Sequence, residues 1–325
     1  MSARTLSFGF SRNPRLEPLA DGRVQSPGLE FKLELVHPYE LFLRMLQQDD
    51  LDVSEFAVVD YLKTRELGGG ARWQWVGLPI FLSRAFLWFD LYVREGANIR
   101  SIADLRGKRI AVPDYTMAAT LCMRMSMKTL HGIRADENQW FNTRPKQYSL
   151  GCALDLTEDA PGGVRLQWLD ADQVTPMLLS GELDAAYGDG YIGKMPGTHI
   201  RAQPGIRPLF PDRGKAVVIE YARRTGAVLA NHMVVVQKRA ADALPVLYNL
   251  FERSKAAAYD QDPRNRGLFQ VMSLEEQAQR FGPDPFAMGL EANRRMLELL
   301  VEGAREEGWL KGPVDLAAAF WEPGR

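Results

Sequence analysis

Ile102-Ala103-Asp104-Leu105-Arg106-Gly107-Lys108-Arg109-Ile110-Ala111-Val112-Pro113, followed at once by Asp114-Tyr115-Thr116-Met117-Ala118-Ala119-Thr120, is the stretch on which the fold turns. It reads as a short helix, a glycine turn, a buried strand and the opening of a second helix. A strand that feeds a helix leaves unpaired N–H groups at the first helical turn, and these attract an anion such as a carboxylate. Every strand-to-helix junction shares that feature. The stretch therefore argues first for an α/β unit and only second for an anion site.

Outward from it, apolar alternation or short β-branched runs at 5–10, 29–35, 53–58, 73–80, 86–93, 109–112, 184–187 and 232–237 read as strands. Helix-period segments at 38–46, 116–130, 171–179, 240–259 and 285–303 lie between or after them, with Asp114 and Asp172 as plausible caps. Such alternation favours a mostly parallel sheet with helices on both faces and ligands beyond the carboxyl ends of the strands. The extended runs 86–93 and 232–237 are about 140 residues apart, a separation that fits one domain inserted into another. The expected lobes are 1–89 with 231–325, and 90–230.

The 325 residues allow roughly two domains at about 150 residues each. With 40 Lys and Arg against 41 Asp and Glu, bulk attraction to a nucleic-acid backbone is excluded as the basis of function. Cys122 and Cys152 cannot make a disulfide framework and fit a reducing compartment. The start, Met1-Ser2-Ala3-Arg4-Thr5-Leu6-Ser7-Phe8-Gly9-Phe10, runs into Ser11, Arg12 and Asn13 without a signal-length apolar stretch, so a cytoplasmic protein is expected. Pro79, Arg84, Asn231 and His232 break the longest apolar stretches well short of the roughly 20 residues of a membrane helix.

Several chemistries find no support. Gly188-Asp189-Gly190-Tyr191-Ile192-Gly193 has dinucleotide-loop spacing, but Lys194-Met195-Pro196-Gly197 reads as a turn where that fingerprint needs a helix, so a loop lining a cleft is the better reading. The histidines His37, His131, His199 and His232 have no metal-binding spacing, and no metal is expected. There is no Gly-x-Ser-x-Gly elbow, and Cys122 sits in an apolar helix as a structural thiol. What remains are polar residues at strand ends: Ser54-Glu55, Ser83-Arg84, Asp114-Tyr115, Asp189 and Asn231-His232. Arg84 interrupts an apolar run and reads either as a bidentate carboxylate ligand or as half of a structural ion pair. His232 reads either as a proton carrier or as a hydrogen-bonded core histidine.

The run Leu78-Pro79-Ile80-Phe81-Leu82-Ser83-Arg84-Ala85-Phe86 resembles the Leu-Pro-Val-Phe-x-Ser-Arg-x-Phe stretch of 4,5-dihydroxyphthalate decarboxylases. Leu51-Asp52-Val53-Ser54-Glu55, then 105–115, Gly181-Glu182-Leu183-Asp184-Ala185, and Tyr221-Ala222-Arg223-Arg224-Thr225-Gly226 up to His232 resemble further blocks of that family, in order. The Gly-Lys-Arg and Gly-Glu-x-Asp-Ala pieces are shared with the wider periplasmic-binding-protein superfamily, whereas the Ser-Arg and Thr-Gly…His pieces are more specific. The resemblance implies a type II periplasmic-binding-protein-like fold, two α/β lobes joined by two crossover strands with ligand between them. It also implies a cytoplasmic carboxy-lyase that works on a dihydroxylated aromatic diacid without an organic cofactor. Two departures stand out: Leu87-Trp88 replaces a basic pair, and of two arginines in the amino-terminal loop Arg15 is kept while Glu17 stands at the other position.

On this reading His232 transfers the proton, while Arg84 and the helix start Tyr115, Thr116 and Met117 bind carboxylate. Glu55 or Asp114 meets the ring hydroxyls, with Asp114 counted among the catalytic groups. Arg15, Ser54, Ser83, Trp88 and Asp189 complete the expected substrate-binding set. The expected partner is a small aromatic carboxylate, with neither nucleic acid nor membrane, and a homo-oligomer is allowed for. The alternative is a non-enzymatic solute-binding protein that presents a small carboxylate to a transporter.

Overall fold

The computed structural model describes residues 4–48, 50–68, 72–84, 90–156, 161–188, 200–268 and 272–324. The strands among them are, in chain order, β1 (Arg4–Phe10), β2 (Leu29–Leu35), β3 (Val53–Ala57), β4 (Trp75–Ser83), β5 (Leu91–Arg94), β6 (Arg109–Val112), β7 (Gln139–Asn142), β8 (Arg165–Trp168), β9 (Ala185–Tyr187), β10 (Ile206–Pro208) and β11 (His232–Gln237). They form two mixed sheets, one in each of two units. The first unit is Met1–Arg84, Ala227–Leu299 and Pro313–Arg325; the second is Ala85–Gly226 and Leu300–Gly312.

In the first unit the sheet order is β2-β1-β3-β11-β4. β1 runs parallel to β2 and β3, while β11 runs antiparallel to both β3 and β4. Because β11 runs against its neighbours, its first residue, His232, lies across from Ala57 and Ser83, which are the last residues of β3 and β4. One edge of the sheet therefore collects the carboxyl ends of β1, β3 and β4 and the amino end of β11. All five residues of β3 are buried, as expected of a strand covered on both faces. On one face Leu6, Phe8, Phe10, Leu78, Ile80, Val234 and Val236 pack with Leu247, Leu250 and Phe251 of the helix Leu244–Gln261.

The second unit has the order β10-β5-β9-β6-β7-β8, with β6 parallel to β7 and β9, β7 parallel to β8, and β5 antiparallel to β9 and β10. The stretch 102–120 folds as a short 3₁₀ helix, Ile102–Leu105, then β6, then the helix Ala118–His131. That helix ends where Gly132 takes a φ of 63°, a left-handed conformation that glycine reaches without a Cβ clash.

Several boundaries differ from expectation. The mostly parallel sheet is two mixed sheets, because the late strand β11 returns antiparallel into the first and β5 runs antiparallel to β9 and β10 in the second. The helix expected from 116 starts at Ala118, since Met117 is extended with ψ 137°. The strand expected at 73–80 runs on to Ser83. Of 86–93 only the part from Leu91 is seen as strand, and 85–89 lie outside the described residues. Leu300–Gly312, expected with the rest of 231–325, groups with the second unit. Its physical reason is Arg124 of the 118–131 helix, buried and bound through Nη2 and Nε to the Glu307 carboxylate at 2.6 and 2.8 Å, with Gly303 close against Met125. Among the described residues no helix is long and apolar enough to cross a membrane.

Candidate active site

Glu55 sits in β3 with only 1% of its surface exposed, and strand alternation sends its side chain to the face opposite Ser54. A carboxylate so buried needs donors. His232 Nδ1 lies 2.6 Å from Glu55 Oε1, while the main-chain N–H and the hydroxyl of Ser11 donate to Oε2 at 2.8 and 2.6 Å. Burial alone would raise the Glu55 carboxyl, but the hydrogen bond and charge of His232 and the two Ser11 bonds outweigh it and hold Glu55 below its ordinary value. An ionised carboxylate only accepts, so the proton between the two belongs to His232 Nδ1, and Nε2 is the ring atom left for chemistry. Phe42 meets the imidazole edge-on, with centroids 4.8 Å apart at 90°, and braces the ring. The main chain beside it is also pinned, because Asn231 donates to Ser83 O at 2.9 Å and accepts from Val58 N at 2.8 Å.

Two arginines belong to the same unit. Arg15 follows β1 in the 3₁₀ turn Pro14–Leu16, capped by Asn13, whose side-chain oxygen accepts from Arg15 N. Its guanidinium donates to Leu82 O at 2.8 Å and Asn265 O at 3.1 Å and stacks 3.6 Å over Phe286. Those acceptors are neutral carbonyls, so the charge is not cancelled by contact with an acid; burial pushes the group down to about 10 against the more distant pull of Tyr259, Asp284 and Glu55. Arg84, 8% exposed, donates to Val228 O and to Asn293 Oδ1, the latter at 2.9 Å. Asn293 is oriented for this by its own donation to Ala287 O and Gly289 O. Arg84 thus ties the end of β4 to the segment leading into β11.

Ser54 is fully buried and its hydroxyl donates to the Glu55 carbonyl, which removes it from any ligand; Ser83 is half-buried at the end of β4, across from His232. In the second unit Asp114 has both oxygens occupied: Oδ1 accepts from Thr116 N and Oγ1 at 3.3 and 3.1 Å, and Oδ2 from Leu150 N at 3.0 Å, with Arg144 Nη1 3.8 Å away. It shapes the junction between β6 and the following helix, where direct contact with a ring hydroxyl was expected. Tyr115 is buried under Arg124, which stacks 3.7 Å over its ring and donates to its carbonyl at 2.8 Å. Thr116 is likewise buried, and a Cβ on Gly151 would come within 2.5 Å of its hydroxyl. Met117 caps the helix without a side-chain bond. Trp88 and Asp189 lie outside the described residues, as does most of the 188–193 glycine run.

The structure therefore joins His232 with Glu55 and puts Arg15 within electrostatic reach of Glu55. Ser11, Phe42, Phe286 and Asn293 contribute to these contacts without belonging to any motif in the sequence. Ser11 had one available signal, its place as the first residue beyond a strand that ends at the same sheet edge. Among the described residues no three His, Cys, Asp or Glu side chains cluster as metal ligands do.

No family model matches the chain. It is 32% identical over 269 residues, 79% of its length and 77% of the relative's, to a 4,5-dihydroxyphthalate decarboxylase of Comamonas testosteroni. It is 30% identical over 219 residues, 65% of its length and 79% of the relative's, to a protein of the same name from Pseudomonas putida. Among solved structures it is similar to the periplasmic aliphatic sulphonate binding protein SsuA from Escherichia coli, with TM-score 0.55 and 14% identity, over 100% of this chain and 94% of that one. That likeness gives the fold, the α/β two-lobed type II periplasmic-binding-protein-like class.

Proposed function

The chain belongs to the 4,5-dihydroxyphthalate decarboxylase family, and from that premise we propose that it removes one carboxylate from a dihydroxylated aromatic acid, 4,5-dihydroxyphthalate or a close analogue, with His232 carrying the proton. The observation that carries this reading is the buried Glu55 bound to His232 at 2.6 Å, on the sheet edge where β1, β3 and β4 end. Proton transfer to carbon needs a titratable donor held in place by an acid, whereas clamping a carboxylate needs only complementary donors.

The ring chemistry sets the requirement. The hydroxyl para to the departing carboxylate, ionised to the phenolate, pushes electrons toward the carbon that bears the carboxylate, and that carbon takes a proton to give a non-aromatic dienone. Breaking the bond to the carboxylate then releases carbon dioxide, and its electron pair restores the ring and regenerates the phenolate. The proton comes from Nε2 of the His232 imidazolium, and Glu55 stabilises the charge on that ring before transfer and keeps the Nδ1 proton in place after it. Arg15, with its charge uncancelled by a neighbouring acid, supports the anionic substrate. Arg84 helps by fixing the end of β4 and the Val228 segment that precedes His232.

Incubating the protein with 4,5-dihydroxyphthalate and measuring 3,4-dihydroxybenzoate and carbon dioxide in equal amounts tests the proposal. Tight binding of the diacid with no product would favour the solute-binding alternative and overturn it.

A further inference from the structure

We propose that Ser11 is a positioning residue of this site, fixing the orientation of the Glu55 carboxylate and through it that of the His232 imidazole, with Nε2 left for substrate. The inference rests on the decarboxylase reading and extends it to a residue that acts on His232 through Glu55. Two donors from one residue converge on one carboxylate oxygen, Ser11 N at 2.8 Å and Ser11 Oγ at 2.6 Å, both on Oε2. The other oxygen, Oε1, holds His232 at 2.6 Å. The carboxylate thus accepts from His232 and twice from Ser11, and with Glu55 only 1% exposed, loss of one of these donors leaves a buried acid short of a partner.

The arrangement discriminates between the oxygens. With Oε2 saturated by serine, the carboxylate presents Oε1 to the imidazole in one orientation, much as a third group orients the base in a hydrolytic triad. The hydroxyl also keeps the acid ionised. Burial favours the neutral carboxyl, and a protonated Glu55 could no longer stabilise an imidazolium at His232. The groups that face Glu55 are His232 from β11 and Ser11 from the end of β1, with Arg15 of the following turn acting on it at longer range. No proton leaves Ser11 during turnover. Its hydroxyl donates to Oε2 before and after His232 gives up the Nε2 proton.

The test compares Ser11→Ala, which deletes the hydroxyl and keeps the main-chain donor, with Ser11→Thr, which keeps both. In Ser11→Ala the acidic limb of kcat against pH moves up by about one unit, which is a tenfold change in the proton equilibrium, while KM for 4,5-dihydroxyphthalate changes less than about twofold. Ser11→Thr returns the limb toward the wild-type position. An unmoved limb in Ser11→Ala, or the same shift in Ser11→Thr, overturns the proposal. A second readout needs no turnover. In protein labelled with ¹⁵N-histidine, with His232→Asn as the assignment control, the Nδ1 proton of His232 is a low-field signal that weakens or moves upfield in Ser11→Ala and persists in Ser11→Thr. An unchanged signal in Ser11→Ala overturns the proposal even where activity falls. Absence of decarboxylation by the wild-type protein would sink the functional reading alone, because the imidazole signal still reports whether Ser11 orders the pair.

Discussion

His232 and Glu55 show how far a single residue type constrains chemistry, because each is ordinary alone and the pair is not. Substituting His232→Asn removes the only titratable nitrogen in the contact, so turnover is expected to fall by about 10² to 10⁴, the usual worth of general acid catalysis, while calorimetric binding of the diacid stays within a few-fold. Glu55 also links pH to stability. Its folded-state value lies below the ordinary one, so its contribution is fully present above the ordinary carboxylate range near about 4.3 and is lost as pH falls through the lower folded value. Melting temperature measured from pH 6 to 3 should therefore drop steeply below about pH 4 in the wild type. Glu55→Gln should melt lower at pH 6 and show a shallower acid slope, because an amide turns a donor toward Ser11 or His232 where an acceptor is needed. Arg84→Ala loses two hydrogen bonds from a charged group, to Val228 O and Asn293, and should cost about 1.5–3 kcal/mol in urea unfolding besides weakening activity. Unchanged stability with lost binding would return Arg84 to a purely ligand-binding role.

Among the elements, the junction between β6 and the helix Ala118–His131 departs furthest from its sequence reading. Its polar groups, Asp114 and Thr116, are spent on each other and on Leu150 N, and Tyr115 lies beneath the Arg124 guanidinium. Arg124 in turn depends on Glu307, whose side chain is 15% exposed against 3% for the arginine. Removing one partner of such a pair leaves a buried charge, so Glu307→Gln should destabilise the protein by about 3 kcal/mol, the lower end for a broken buried pair, in denaturant titration. A change below about 0.5 kcal/mol would mean the pair behaves as an exposed one.

At the scale of the whole chain, the last residues close the first unit. The hydroxyl of Tyr61 donates to Ala319 O, Trp321 N donates to Gly77 O at 2.9 Å, and Phe320, 3% exposed, packs on Tyr61 and Phe81. A Cβ at Gly77 would meet Met233 at 2.7 Å and Phe320 at 3.0 Å, so the glycine is what lets the tail lie against β4. Phe320→Ala should cost about 3–5 kcal/mol, the range for a buried aromatic truncation, read as a fall in melting temperature.

The sequence by itself determined the α/β class, the strand starting at His232, the candidates Arg15, Glu55, Arg84 and His232, and the family, because apolar periodicity and short motifs are local properties. It could not determine strand direction. That β11 runs antiparallel between β3 and β4 is settled by long-range pairing across about 180 residues of chain, and this alone carries His232 to Glu55. Nor could it separate the twin acids Glu55 and Asp114, both buried, the first within β3 and the second just beyond β6. Only the folded structure supplies Glu55 with an imidazole and Asp114 with main-chain and hydroxyl donors, because a buried carboxylate takes its role from the donors packing brings to it.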